Sequence, residues 1–282
     1  MICKFLCVPF LIKAQGNIFD YADSIHHAGN YPLAAIEYER VAFENESPHI
    51  KAEATVKAAT CMKMQGRYDE AASLLDAVNL EQLTDLPLKY RILFQYALNT
   101  YLAHELNTSF STWQSLCHYF PDSSKNEDVL FMKILCLNEL QQWKEADTLY
   151  KQLMEKYGPS EALPNPYLEI PKLKDPDKAE KLSAYLPFTG AGLFYAGNIP
   201  EGILSIVLQA GFIAFGGYSI LMKRYITGVL IGVGGYAAFY HGGVRRAKWL
   251  AERYNEKKRI QFNAAVRNQL LSVIKNGKHL KD

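Results

Sequence analysis

Charge is almost missing from one long stretch of this chain. Between Leu182 and Gly243 only Glu201, Lys223 and Arg224 are formally charged, a density suited to lipid rather than to water. Catalytic signatures are missing as well. There is no Gly-x-Ser-x-Gly elbow, no His-Glu-x-x-His, no paired-carboxylate motif and no nucleotide loop. The five cysteines form no disulfide framework and show no zinc-ligand spacing. Cys61, Cys117 and Cys136 each sit in a helical apolar pattern and read as small buried side chains. Basic residues are not concentrated on the charged half, and the net charge is only +2, so nucleic acid is not an expected partner. The expectation is a non-enzymatic protein with no cofactor and no metal.

The 282 residues are enough for two modest domains, each with its own core. Residues 1–15 have the parts of a secretion signal. Lys4 starts it, Phe5 to Ile12 is a short apolar core, and Ala14 offers a cleavage site. Lys13 beside the cut and Ile12 at a small-residue position depart from that pattern, and a buried first turn of the following domain is the alternative.

Residues 16–158 repeat themselves. Gly29-Asn-Tyr31-Pro-Leu-Ala34 is echoed by Gly66-Arg-Tyr68-Asp-Glu-Ala71 and by Gln141-Gln-Trp143-Lys-Glu-Ala146. A fainter copy, Leu106-Asn-Thr-Ser109-Phe-Ser-Thr-Trp113, lacks the glycine. The equivalent small residues at 34, 71, 109 and 146 are 37 or 38 apart. Such a period means stacked helix pairs: a turn residue, an aromatic covering the turn, and a small residue where two helices cross.

At these residues the chain resembles the tetratricopeptide repeat (TPR) family. The resemblance implies an all-α fold with four helix pairs forming a right-handed superhelix. Its first helices would line a groove for a protein or peptide. Carried over to this sequence, the groove positions are Asp23, His26 and His27, then Val56, Lys63 and Met64. In the third pair they are Phe94, Leu98 and Tyr101, and in the fourth Phe131, Leu135 and Asn138. His26, Lys63, Phe94, Tyr101 and Asn138 are the expected partner contacts. His26-His27 is not a metal half-site, because helix neighbours point about 100° apart.

Five prolines between Pro159 and Pro176 make 159–181 read as a linker. The module at 182–243 follows, with uncharged runs at 202–222 and 225–243 separated by Lys223-Arg224. Each run is long enough for a transmembrane helix, so the pair reads as a transmembrane hairpin. Gly190, Gly192, Tyr195, Gly197 and Gly202 form a Gly-x-Gly-x-x-Tyr-x-Gly-x4-Gly pattern with no strand before it, which is not a phosphate loop. With Tyr254-Asn255 downstream, the pattern resembles small two-span bacterial membrane modules of the TM2-like kind, which implies membrane location and no particular activity.

Residues 244–282 form a basic tail of amphipathic helical character, with Arg245, Arg246, Lys248, Arg253, Lys257, Lys258 and Arg259 suited to anionic headgroups. These readings predict an integral protein of a bacterial inner membrane. A cleaved signal would place the repeat domain outside the cytoplasm, which is the expected placement. The tail's side depends on whether Leu182 to Ile199 also spans, and the alternative without a signal keeps repeat domain and tail both cytoplasmic. The expected role is an envelope adaptor that binds a protein or peptide. The competing expectation is a subunit of a homo-oligomeric membrane assembly or pore with the repeats as its docking domain.

Overall fold

A computed structural model describes residues 17–156, 164–185 and 190–279. The proposed signal segment lies outside these residues. Among the described residues helices are the regular structure, and strands are absent. The chain divides into two units between Gly158 and Pro159.

The first unit contains four helix hairpins. They are α1 (Asp20–His27) with α2 (Tyr31–Glu44), α3 (Pro48–Met64) with α4 (Tyr68–Asp76), α5 (Leu86–Leu102) with α6 (Leu106–Tyr119), and α7 (Glu127–Glu139) with α8 (Trp143–Met154). Each first helix ends in the same way. Gly29, Gly66, His104 and Gln141 take positive φ, at 78°, 76°, 63° and 60°. The next backbone N–H then reaches back five residues: Asn30 to Ile25, Arg67 to Met62, Glu105 to Thr100, and Gln142 to Leu137. This is a Schellman cap, which satisfies carbonyls left open at the helix end. Glycine adopts it without strain in the first two hairpins. His104 and Gln141 adopt it despite a side chain, so the third hairpin forms without its turn glycine.

Five residues beyond each cap stand Ala34, Ala71, Ser109 and Ala146, all fully buried. There the two helices of a pair come closest, and a larger side chain would have no room. Ser109 keeps its hydroxyl satisfied by donating to the Ala97 carbonyl at 2.7 Å. Each second helix packs on the following first helix, and α3 also meets α5. Tyr38, Leu75, Leu88 and Ile92 centre one core, and Trp113, Leu116, Val129 and Cys136 another. Burial pushes the Cys61 and Cys136 thiols up to about 11, which keeps them protonated and inert.

The second unit departs from the linker expectation. Prolines 164, 166 and 171 do lie in irregular chain with one short 3₁₀ turn, but Pro176–Tyr185 is a helix, α9. Pro176 occupies its first turn, where a missing N–H costs nothing. The Asp175 carboxylate accepts from the N–H groups of Asp177 and Lys178 at 2.9 and 3.1 Å, an N-cap. α10 (Gly190–Ala196) and α11 (Ile199–Leu221) follow. The chain turns at Lys223, with φ 61°, and resumes as α12 (Tyr225–Thr227), a π-helical turn at Gly228–Val233, and α13 (Gly234–His279).

α13 is 46 residues long, so the tail is not a separate element: the helix runs on past Gly243 unbroken. α9 and α10 pack on it, and α11 packs on the π turn and on α13. α11 is long and apolar enough to cross a membrane, and only 17% of its most apolar window is buried.

Candidate binding surfaces

The row of first-helix residues divides on inspection. His26 is half-buried against its own hairpin, edge-on to Tyr31 at 5.4 Å between ring centroids. Lys63 is half-buried, and its Nζ donates to Gln95 Oε1 on α5 at 2.9 Å. Burial lowers its pKa. Phe94 stacks edge-on against Trp113 at 5.0 Å and belongs to the core edge, as does half-buried Tyr101. Asn138 is only 1% exposed and is therefore a packing residue, not a groove contact. Among the five expected contacts, Lys63 bonds the next first helix through its side chain.

A polar cluster that the sequence reading only half identified lies between α1, α2 and α3. Lys57 Nζ donates to both Asp23 oxygens at 2.8 and 3.0 Å, and the Tyr38 hydroxyl donates to the same carboxylate. The ammonium also sits 4.6 Å from the centre of the Phe19 ring, a cation–π arrangement. Burial raises the Asp23 pKa, but the bonds from Lys57 and Tyr38 outweigh it and hold the carboxyl below its ordinary value.

In the second unit the motif residues are explained by close approach. A β-carbon on Gly192 would collide with the Ala179 carbonyl oxygen and Ser183 Oγ. One on Gly190 would lie 2.5 Å from Ile206 Cδ1, and one on Gly202 would enter the Phe194 ring. Gly197 has φ 93°, a turn conformation that favours glycine. The Tyr195 hydroxyl accepts from the Asp175 N–H at 3.0 Å. Asn255 brackets Lys174, accepting from its N–H at 2.7 Å and donating to its carbonyl at 2.6 Å. Gly190 and Gly202 let α10 and α11 approach, while Gly192, Tyr195 and Asn255 fasten α9, α10 and α13 together.

Charged pairs sit at the same end. Arg246 donates twice to Glu201 at 2.8 Å, joining α13 to the first turn of α11. Lys248 bonds Asp177 at 2.8 Å and Glu180 at 2.9 Å on α9, and these partners raise its pKa. Beside the Glu201–Arg246 pair is a mainly apolar pocket of about 520 Å³ between α10, α11 and α13. Nearer the Lys223 turn the two limbs touch through glycine: a β-carbon on Gly232 would stand 2.5 Å from Gly216 Cα. The four motif glycines and Tyr195 build the module by close approach and a cap bond.

Comparison with known proteins supports the repeat reading in one place. A tetratricopeptide repeat family profile matches residues 128–160, which contain most of α7 and all of α8. A search of curated proteins finds no match to the chain.

Proposed function

We propose that this chain is a membrane-anchored scaffold and not an enzyme. Its tetratricopeptide-type unit would take a protein or peptide, and its C-terminal hairpin would hold that unit at the bilayer. The observation that carries the scaffold reading is the four hairpins built on one cap and one buried small residue. Repeat stacks of this kind offer extended surfaces and usually bind rather than react. The profile match at 128–160 points the same way.

Membrane anchoring rests on α11 and the limb that returns beside it. A soluble core helix of this hydropathy would be mostly buried, whereas most of α11 is exposed. From the Glu201–Arg246 pair to the Lys223 turn is 22 residues, roughly 33 Å of helix, close to the ~30 Å hydrocarbon thickness. The resemblance to TM2-like modules supports the same reading.

This hairpin supports one topology. α9, α10 and the basic tail meet at the Glu201–Arg246 end, so both chain ends of the module leave the bilayer on one side. Seven cations from Arg245 to Arg259 flank that end, against Lys223 and Arg224 at the turn. The positive-inside tendency places the seven in the cytoplasm, and the repeat unit, entering from that end, would be cytoplasmic too. This reading differs from the extracytoplasmic placement that a cleaved signal would give. A C-terminal fluorescent protein that matures only in the cytoplasm is expected to glow, and alkaline phosphatase at the same point to be inactive. The opposite pair of results would restore the signal reading.

Partner capture is tested by crosslinking in intact membranes followed by pull-down. Lys63→Ala is expected to weaken capture by about 1–2 kcal/mol, as for a polar contact at a modest hot spot, with the repeat unit still folded by circular dichroism. Equal capture by the variant would remove the first-helix face from the proposal. Release of the full chain by a carbonate wash would remove the anchor.

A further inference from the structure

We infer that the pocket between α10, α11 and α13 holds one phospholipid with a phosphoethanolamine head. The inference rests on the membrane reading above and extends it to a specific ligand. The walls are Leu193, Leu204, Leu208 and Phe239, with Gly242 open beneath them. The volume of about 520 Å³ lies within the range of small-molecule sites. Leu204 and Phe239 are 57% and 42% exposed, so the pocket opens on the apolar flank of the hairpin, where acyl chains would lie. From Glu201 to Leu208 is two helical turns, roughly 10 Å of depth for the first part of a chain.

Chemistry at the mouth selects the head. Arg246 and Glu201 present one guanidinium and one carboxylate, side by side and partly exposed. A phosphate with an ammonium two carbons away can meet both, phosphate to Arg246 and ammonium to Glu201. Arg246 and Glu201 bond one another, so a purely anionic head that draws Arg246 to its phosphate leaves the Glu201 carboxylate without a cationic partner, whereas the ammonium of a zwitterionic head replaces it. Trp249 stacks under Arg246 at 4.3 Å and is 40% exposed. Tryptophan at this level suits the headgroup zone.

The test is native mass spectrometry of the full-length protein in mild detergent, titrated with dioleoyl phosphatidylethanolamine or dioleoyl phosphatidylglycerol. One phosphatidylethanolamine per chain is expected, held at least tenfold more tightly than phosphatidylglycerol. A β-carbon at Gly242 meets nothing within 4 Å and Gly242 lines the pocket, so Gly242→Leu sends its side chain into the pocket space. It is expected to lower phosphatidylethanolamine binding at least tenfold. Glu201→Gln is expected to cut the preference to threefold or less. Equal binding of the two lipids, or unchanged binding by Gly242→Leu, overturns the inference. Carbonate washing separates the two levels: a chain that resists it while Gly242→Leu binds normally loses the lipid site and keeps the anchor.

Discussion

Gly192→Ala is expected to destabilise the C-terminal module by about 3 kcal/mol, the upper part of the range for overpacking. The added carbon falls on the Ala179 carbonyl oxygen and on Ser183 Oγ, with Ala247 Cβ at 3.0 Å behind it. The first of these is backbone, which no rotamer change can move aside. Relief requires α9 to withdraw from α10, and withdrawal strains the bonds of Lys248 to Asp177 and Glu180. The Asn255 bracket on Lys174 is strained with them. The readouts are a lowered melting temperature in detergent and faster tryptic cleavage at Lys178 and Lys181. Gly242→Ala is the control, since its β-carbon enters open space. Equal behaviour of the two variants would show that the α9–α10 crossing is looser than described.

How far the sequence was readable depends on the range over which each feature is encoded. The helix pairs were legible because their signal is local and repeated: a turn residue, an aromatic and a small residue within six positions. Even so, glycine was only a proxy for the turn. His104 and Gln141 adopt the same conformation because the helices on either side are held by their packing. α9 was hidden because proline reads as a breaker unless its place in the first turn is recognised, with Asp175 as its cap. Asn138 was misjudged as a groove contact for a different reason. Interior first helices are covered by neighbours on several sides, and α7 buries eight of its residues, Asn138 among them. No helical period separates a groove position from a packing position there. The pairs Asp23–Lys57, Glu201–Arg246 and Lys248–Asp177 join residues dozens of positions apart. Their partners emerge only once the chain has folded.

Gly232→Leu is expected to force the two limbs of the hairpin apart, and the consequence bears on which function the chain serves. Gly232 faces Gly216 backbone to backbone, with Phe212 carbonyl oxygen 3.2 Å from the would-be β-carbon. In lipid no hydrophobic gain draws parted helices together, so close packing of this kind is a main source of their association. A loss above about 3 kcal/mol is expected, as for severe overpacking. It would be seen as a sharply lowered melting temperature in detergent and as poor accumulation in membranes. Because the contact lies within one chain, that loss does not by itself report on assembly between chains. Gly217 does, since a β-carbon there meets nothing within 4 Å and points a side chain away from the contact between the limbs. If the chain is a scaffold, Gly217→Leu captures its protein partner as the unaltered chain does, and capture by Gly232→Leu falls only in proportion to the protein left in the membrane. Loss of capture in Gly217→Leu, at normal melting temperature and normal abundance, would transfer the function from the repeat face to a membrane assembly.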